Sequence, residues 1–185
     1  MNDLVTERLT LHPMSAAEAE QVVAGEPGPG ALWAPGYPAE VDVQGARSFL
    51  ALCASNGDPQ PFGSYEIRRR EDGHAIGGLG FNAPPDGRGG VTIGYGVIPS
   101  ARGQGYASEA LLGLLRFARS RSITCVRGDA DHENTASQRV MIGAGMRLVA
   151  EDERVKYYEI TWTGPTQPTG PRPLPLRAEV PPPRS

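Results

Sequence analysis

A chain of 185 residues with 39% hydrophobic and 21% charged residues is typical of one ordinary globular domain. No stretch approaches the roughly 20 apolar residues of a membrane span, and the start lacks the apolar core of a secretory signal. We therefore expect a cytoplasmic protein with no membrane partner. The net charge is −3 and the basic residues are scattered, which argues against a nucleic-acid partner. The three histidines and two cysteines show no metal-ligand spacing, so no metal site is predicted.

Hydrophobic periodicity and turn residues divide the first half of the chain into strands, helices and loops. A loop rich in Gly and Pro over residues 26–39 carries Trp33 and Tyr37. Asp42 is predicted to be the N-cap of the helix that follows this loop. The predicted elements are a strand over 6–11, a helix over 16–23 capped by Ser15, a helix from 42 to about 54, and strands over 63–69 and 74–81.

The second half contains one strand–loop–helix–strand unit followed by a helix and a hairpin. The helix over 106–120 has apolar residues at three- and four-residue spacing, and Asn134 is a natural N-cap for the next helix, which ends at 142. The predicted strands are 91–98, 123–130, 146–150 and 154–162. Eight of the 22 residues from 164 to 185 are proline, a composition that forms no packed core. The sequence predicts a single α+β domain over 1–163 with a mostly antiparallel sheet, and a disordered Pro-rich tail over 164–185.

A loop with two glycines, Arg102-Gly103-Gln104-Gly105, leads directly into the predicted helix that begins with Tyr106 and Ala107. Several backbone N–H groups at such a junction have no partner within the helix, and together with the helix dipole they form an anion site. Glycine lets a phosphate approach the backbone closely, and Arg102 adds a fixed positive charge. The pattern therefore predicts a cofactor that carries a pyrophosphate.

The loop alone does not say which pyrophosphate cofactor binds. A nucleotide P-loop requires G-x-x-x-x-G-K-[ST], which this chain lacks. A dinucleotide site requires G-x-G-x-x-G; residues 103–108 begin this motif but end in Ser108, while Asp129 lies at a suitable ribose-binding separation. Coenzyme A is the third candidate. A nucleotide-dependent oxidoreductase therefore stays open at this point as an alternative.

The segment from Arg102 to Ala107 also matches the [QR]-x-x-G-x-[GA] motif of the GNAT superfamily of N-acetyltransferases. The chain resembles the branch that contains the ribosomal-protein N-terminal acetyltransferases (RimJ/RimL-like), and the resemblance covers residues 4 to 162. The other segments that carry it are Thr6-Glu7-Arg8-Leu9, Ile93-Gly94-Tyr95-Gly96-Val97, Ser108-Glu109-Ala110, Asn134-Thr135-Ala136-Ser137 and Gly143-Ala144-Gly145-Met146. The resemblance implies a splayed, mostly antiparallel sheet flanked by helices, and acetyl-coenzyme A as the cofactor.

The resemblance assigns cofactor contacts to particular residues. The pantetheine arm would lie in the gap of the splayed sheet, against backbone groups of Val97 and Ile98. A strand amide near Val97 would face the thioester oxygen and stabilise the developing oxyanion. The residues that would contact the cofactor are Val97, Ile98, Arg102, Gly103, Gln104, Gly105, Tyr106, Ala107, Asn134 and Ser137. The acetyl group would pass directly to an amine, without an acyl-enzyme.

Two residues that handle protons in similar proteins are missing from this chain. The position before Ile-Gly-Tyr, which many relatives fill with Glu, is Thr92, and the position seven residues after Asn134, often Tyr, is Met141. The candidate catalytic residues are Ser137 as the acid for the leaving thiolate, and His132 and Glu133 as bases. A coenzyme A-binding module without catalysis is consistent with the same two departures and stays an alternative.

The acceptor amine is predicted to enter opposite the cofactor, beside the 26–41 loop, the 82–90 loop and the last hairpin. Aromatic residues in or near these segments are candidate walls of its site, namely Trp33, Tyr37, Phe81 and Tyr95. The sequence leaves open whether the acceptor is a protein N-terminus or a small-molecule amine. It also leaves open whether the chain is a monomer or a homodimer.

Overall fold

The computed structural model describes residues 2–162, which form one sheet of eight strands with four α-helices and a 3₁₀ turn, Pro99–Ala101. The strands are β1 Leu4–Val5, β2 Leu9–Pro13, β3 Ser64–Arg69, β4 Ala75–Phe81, β5 Gly90–Val97, β6 Cys125–Asp131, β7 Arg147–Glu151 and β8 Val155–Thr161. The α-helices are α1 Ala16–Ala24, α2 Glu40–Asn56, α3 Tyr106–Ser120 and α4 Thr135–Gly143. None of the helices in this range is long and apolar enough to span a membrane. The predicted tail over 164–185 lies outside the described residues.

The strands follow the order β1-β2-β3-β4-β5-β6-β8-β7 across the sheet. Every neighbouring pair is antiparallel except β5 and β6, which are parallel and joined through α3. A parallel pair needs such a crossover, because its strands enter the sheet from the same end. The predicted α+β class with a mostly antiparallel sheet is confirmed.

Helices α2 and α3 cover opposite faces of this sheet. Side chains alternate between the two faces along β4. Gly78 lies beneath Asp42 of α2 and marks one face. Phe81 marks the other face, with its ring centre 6.4 Å from that of Phe117 in α3. The apolar stripe of α3 is buried as predicted, at Ala110, Leu111, Leu114, Leu115 and Ala118. Because α3 follows β5 after a short turn, its N-terminus lies at the carboxyl end of that strand.

The first predicted strand is wrong, because residues 6–11 do not form one continuous strand. Thr6, Glu7 and Arg8 form a turn between β1 and β2, in which the Thr6 N–H donates to the Leu9 carbonyl at 2.9 Å. The turn projects this segment toward α3 instead of leaving it in the sheet. The remaining strands and helices are observed with their ends shifted by a few residues.

The predicted start of α2 is also wrong, because Asp42 is not its N-cap. The helix begins earlier, at Glu40, and Ala39 takes the extended N-cap conformation. Asp42 lies in the first turn and accepts the Ala39 N–H at 2.8 Å. This bond uses only one of its two carboxylate oxygens.

Candidate active site

The sheet opens between its two parallel strands. β5 and β6 pair at three positions, of which Thr92 with Arg127 is the last. Beyond this pair, β5 continues against β4 as far as Val97, whereas β6 continues against β8 as far as Asp131. Two unpaired strand edges therefore face each other across a gap, which is the splay that the sequence resemblance implies.

Alternate residues of β5 direct their backbone groups into this gap. The Ile98 N–H donates to the Ile76 carbonyl in β4 at 2.9 Å, and the N–H and C=O of one strand residue point to the same side. By alternation, the N–H and C=O groups of Tyr95 and Val97 point away from β4. The Val97 carbonyl lies 3.4 Å from Nε of Arg102. Val97 thus presents its backbone at the gap.

Ile98 does not present its backbone there. Its N–H is bonded to Ile76, its C=O accepts the N–H of Ala101 at 3.0 Å, and its side chain is buried. The prediction that Ile98 offers backbone groups to a cofactor is therefore wrong. The reason is its place in the register, which directs these groups to β4 and to the 3₁₀ turn.

The glycine loop lies at the wide end of the gap. Gly103 and Gly105 have φ angles of 74° and 80°, in the left-handed region that favours glycine. Within residues 2–162, the N–H groups of Gly103, Gln104 and Gly105 have no backbone acceptor, and α3 begins without a side-chain cap. A Cβ on Gly103 would meet no heavy atom within 4 Å, so the loop surface is open. These features fit a pyrophosphate held by free amides and the N-terminus of α3.

Residues from the start of the chain hold this loop in place. Nε of Arg8 donates to Glu109 of α3 at 2.7 Å, and a terminal guanidinium nitrogen donates to the Gln104 carbonyl at 2.9 Å. The other oxygen of Glu109 accepts the Arg8 N–H at 2.7 Å and the Thr6 hydroxyl at 2.6 Å. The Arg8 guanidinium also lies 4.7 Å from the centre of the buried Tyr106 ring. We call Thr6, Arg8 and Glu109 the clasp.

The clasp keeps its carboxylate charged. Partial burial alone would raise the pKa of Glu109, but hydrogen bonds from Thr6 and Arg8 outweigh burial and hold the pKa below its ordinary value. Both segments of the clasp belong to the sequence resemblance, yet the sequence gives no sign that they touch. Arg8 and Glu109 are 101 residues apart, so only the fold reveals that they support the glycine loop together.

Tyr95 of β5 is bonded to the first turn of α4. Its hydroxyl lies 3.0 Å from the Ser137 carbonyl and 2.8 Å from the Ser137 hydroxyl, so it can donate to the first and accept from the second. Asn134 caps α4 by accepting the Ser137 N–H at 3.1 Å. Burial raises the pKa of Tyr95, and the bond with Ser137 only partly opposes this. A protonated hydroxyl pair therefore connects β5 to the helix that follows β6.

A cavity of about 260 Å³ lies between α2 and the sheet. Its floor consists of glycines on neighbouring strands, with Gly78 of β4 opposite Gly96 of β5 and Gly80 opposite Gly94. Because glycines carry no side chains, α2 can approach closely: a Cβ on Gly96 would lie 2.7 Å from Val41 and one on Gly78 would lie 3.2 Å from Asp42. Gly94 and Gly96 also belong to the part of β5 that β6 leaves unpaired, so the cavity adjoins the gap. Phe49 of α2 also borders it, whereas Tyr65, Phe81 and Tyr95 border it from strand positions whose side chains point to the other face, toward α3 and α4.

Asp42 lines this cavity with one oxygen unused. The residue is 7% exposed; one carboxylate oxygen accepts the Ala39 N–H, and the other has no hydrogen-bond partner in the described part of the chain. Burial raises the pKa of Asp42 to about 6, opposed by the Ala39 N–H and assisted by the nearby Glu66 carboxylate. The Gly78 N–H also favours the charged form, without meeting hydrogen-bond geometry. The unpartnered oxygen has less than 1 Å² of exposed area and lies against Gly78, so Asp42 is a buried carboxyl beneath α2 and is not open to a ligand in the cavity.

The predicted acceptor walls fall into two groups. Phe81 and Tyr95 line the cavity with Asp42, whereas Trp33 lines a separate cavity of about 480 Å³ beside α1. Tyr37 is buried and packs edge-on against Trp33, with ring centres 5.3 Å apart. The structure therefore places Tyr95 at the edge of the gap, and Phe81 one strand away with its ring packed toward Phe117 of α3, while Trp33 and Tyr37 lie elsewhere.

The predicted bases, His132 and Glu133, also lie apart from the Asp42 cavity. They line an open cavity of about 520 Å³ after β6, which shares no residue with the one under α2. Nε2 of His132 is bonded to the Asp152 carbonyl at 2.7 Å, so this nitrogen must carry a proton and cannot accept another. Neither residue is hydrogen-bonded to Tyr95 or Ser137 in the described part of the chain, although Asn134, which accepts the Ser137 N–H, lines the same cavity.

The two positions that depart from the resemblance supply no acid or base. Met141 is fully buried, with its sulfur packed against Gly128 of β6. Thr92 is exposed at the last paired position of β5, and a threonine hydroxyl does not act as a base near neutral pH. Proton transfer must therefore rely on other groups around the gap or on water.

A family model agrees with this geometry. The model described as "Acetyltransferase (GNAT) domain" matches residues 8–147. The match includes Arg8 and Glu109 of the clasp, the glycine loop and both strands that border the gap. It covers well over half of the chain.

Individual relatives agree as well. The uncharacterized N-acetyltransferase YjdG of Bacillus subtilis (strain 168) is 28% identical over 111 residues, which cover 60% of this chain and 66% of that protein, just under two thirds of its length. The acetyltransferase (GNAT family) from Bacillus anthracis superposes with a TM-score of 0.63 at 20% identity, covering 86% of this chain and 98% of its own. The ribosomal L7/L12 alpha-N-protein acetyltransferase RimL, solved in complex with coenzyme A, gives a TM-score of 0.62 at 20% identity with the same coverage. These structural matches show a shared fold.

The clasp predicts how stability depends on pH. Glu109→Gln keeps the shape of the side chain but loses its charge, so we expect the free energy of unfolding at about pH 7 to fall by about 1–2 kcal/mol. The pKa of Glu109 is lower in the folded protein than its ordinary value of 4.5, so its charge stabilises the fold at pH values above 4.5. This stabilisation is lost as the pH falls through the pKa of the folded state. Urea unfolding at about pH 7 and about pH 3 should show the difference shrink at acid pH. The exposed control Glu7→Gln should change little; an equal effect of Glu109→Gln at both pH values would contradict the account.

Proposed function

Because the chain belongs to the acetyltransferase (GNAT) domain family, we propose that it transfers the acetyl group of acetyl-coenzyme A directly to an amine. The observation that carries the proposal is the gap between β5 and β6, which has a free strand edge and ends at a glycine loop with free N–H groups. Such a groove suits a long, narrow ligand with amides along its arm and a pyrophosphate at its end. The acceptor is a protein N-terminus or a small-molecule amine.

Residues of this chain would hold the cofactor at three places. Tyr95 and Val97 would offer backbone N–H and C=O groups to the pantetheine amides, as one strand does to its neighbour. The free N–H groups of the glycine loop and the first turn of α3 would bind the pyrophosphate, with Arg102 adding positive charge. When bound, acetyl-coenzyme A supplies the acetyl group as an activated thioester. RimL, which has a similar fold, was solved in complex with coenzyme A, and this supports coenzyme A as the class of ligand.

The Tyr95–Ser137 pair is placed to handle the proton of the departing thiol. Acetyl transfer leaves a sulfur anion, which must take up a proton. The raised pKa of Tyr95 keeps its hydroxyl protonated at neutral pH, so it can donate that proton. Ser137 can return a proton to the phenolate through the hydrogen bond between the two hydroxyls. The pair would thus act as the general acid, a role that the buried Met141 cannot fill.

Acceptor-dependent release of free thiol tests the proposed reaction. The purified protein is incubated with acetyl-coenzyme A and a panel of N-terminal peptides, polyamines and other amines, against a blank without acceptor. We expect thiol release with at least one class of amine and an N-acetylated product by mass spectrometry. Coenzyme A binding without turnover on any amine would favour a cofactor-binding module. A failure to bind coenzyme A would contradict the assignment of the gap and the loop.

A substitution at the glycine loop tests the cofactor site. Gly103→Ala forces a side chain into the left-handed region and adds a methyl group to the open loop surface, so we expect coenzyme A to bind about tenfold more weakly by calorimetry. Gly30→Ala is a matched control, since Gly30 has a φ of 80° and equally open surroundings in a distant loop. Equal effects of the two substitutions on binding would argue against the loop as the pyrophosphate site.

Removing the Tyr95 hydroxyl tests the proton donor. We expect Tyr95→Phe to lower kcat by about 10- to 100-fold while the Kd for coenzyme A stays unchanged, because the ring and the backbone contacts remain. Tyr157→Phe is the control, since Tyr157 is an exposed residue of β8 whose hydroxyl is bonded only to Asp152. A Tyr95→Phe variant with wild-type kcat would show that water or another group protonates the sulfur.

A further inference from the structure

We propose that the attacking amine lies over Gly94, between the side chains of Asn82 and Asp129, and that Asp129 takes its proton as the general base. The inference rests on the proposed acetyl transfer and adds the residue that accepts the proton of the amine. Three features of the gap point to this place: its open face, the register of β5 and β6, and the free surface at Gly94.

One face of the gap is covered by α4, so the amine must approach from the other. On the α4 face, the Tyr95 hydroxyl is bonded to Ser137, and a Cβ on Gly128 of β6 would lie 3.1 Å from the sulfur of Met141. Side chains alternate along a strand, so Asp129, the next residue of β6, points to the opposite face. It is exposed there. An acceptor therefore has open access to the face that carries Asp129.

The register of the parallel strands places Asp129 across the gap from Gly94. Thr92 pairs with Arg127, and Gly94 and Asp129 each lie two residues beyond that pair. Two residues are one full repeat of a strand, so the Asp129 side chain lies on the same face as the Thr92 and Arg127 side chains. Hydrogen bonding between β5 and β6 has already ended at this point, so the edge of β5 beside Gly94 is open toward Asp129.

Gly94 leaves a free surface beside the reacting group. In the described part of the chain, apart from its chain neighbours, a Cβ at Gly94 would meet one heavy atom within 4 Å, Oδ1 of Asn82 at 3.6 Å. A Cβ on Gly96, by contrast, would lie 2.7 Å from Val41 of α2. Gly94 is also next in the chain to Tyr95, the proposed proton donor to the sulfur. An amine over Gly94 would thus lie beside the thioester, with the Asn82 amide on one side.

The Asp129 carboxylate is free to bind this amine. Arg127, two residues earlier on the same face, is bonded to Glu159 at 2.9 Å. Tyr157, which pairs with Asp129 on β8, donates its hydroxyl to Asp152 at 2.6 Å. Within residues 2–162, no ion pair or hydrogen bond engages the Asp129 side chain. The fold therefore does not use this carboxylate, and a substrate can.

The acetyl transfer would move one proton from nitrogen to Asp129 and another from Tyr95 to sulfur. The neutral amine attacks the thioester carbonyl carbon, the C–N bond forms, and the nitrogen gives one proton to the Asp129 carboxylate. The C–S bond breaks, and the sulfur takes the proton of the Tyr95 hydroxyl. Asp129 then releases its proton to solvent, to which it is exposed.

Steady-state kinetics of Asp129→Asn test the general base. The variant keeps the shape of the side chain but accepts no proton, so we expect kcat to fall about 100- to 1000-fold while the Kd for coenzyme A by calorimetry stays unchanged. Asp131→Asn is the matched control, because Asp131 is the next exposed residue on the same face, about 6.6 Å further along β6. It should keep the wild-type kcat.

Two outcomes of these kinetics would count against the account in different ways. Wild-type kcat in Asp129→Asn, or an equal loss in Asp131→Asn, would overturn the role of Asp129 and leave the acetyl transfer standing. Absence of turnover by the wild-type protein on every amine would overturn the acetyl transfer itself, and the base with it.

Gly94→Ala tests where the amine lies. The added methyl group would make an ordinary contact with Asn82, so the fold should survive, but it fills the surface that the amine needs. We expect the KM for the amine to rise about tenfold or more while the Kd for coenzyme A stays unchanged. Gly143→Ala is the control, since a Cβ at this position of α4 would meet nothing within 4 Å. A wild-type KM in Gly94→Ala would overturn the placement of the amine.

Discussion

The site depends on a single interruption of hydrogen bonding, the point at which β5 and β6 stop pairing after Thr92. Each strand keeps its other neighbour beyond that point, so the fold does not lose the sheet, but the backbone groups that face the gap no longer bond from one strand to the other. Unpaired N–H and C=O groups bind whatever strand-like ligand can replace the missing neighbour. The free edge therefore supplies the affinity, and the elements at its two ends determine what binds.

At the wide end of the gap, the clasp determines the shape of the anion site. Two glycines with positive φ could adopt many conformations, and Arg8 restricts them by bonding to the Gln104 carbonyl and to Glu109 together. The loop amides are thus fixed before a ligand arrives, which lowers the entropy lost on binding. On the α2 face, the glycines of β4 and β5 let the helix pack closely on the sheet, with Val41 over Gly96 and Asp42 over Gly78.

Local signals in the sequence sufficed for the elements, the class of fold and the glycine loop, because helix periodicity and loop composition depend on neighbouring residues. Features that depend on register or on distant contacts could not be predicted. Backbone N–H and C=O groups alternate in direction along β5, and the hydrogen bond from the Ile98 N–H to Ile76 shows which residues face β4. The backbone groups of Val97, and not those of Ile98, therefore face the gap. Asp42 looks like a helix cap in sequence, and only the packing of α2 on Gly78 shows that one of its oxygens is buried without a hydrogen-bond partner in the described residues.

The most direct test of the central claim is to titrate ¹⁵N-labelled protein with coenzyme A and follow the backbone amides by NMR. The account predicts that the largest shifts fall on Tyr95 and Val97 along the free edge of β5 and on the glycine loop from Gly103 to Gly105. The Ile98 amide, bonded to Ile76, should move much less. Saturable binding with these amides unmoved, or shifts confined to other parts of the sheet, would contradict the claim that the gap holds the cofactor.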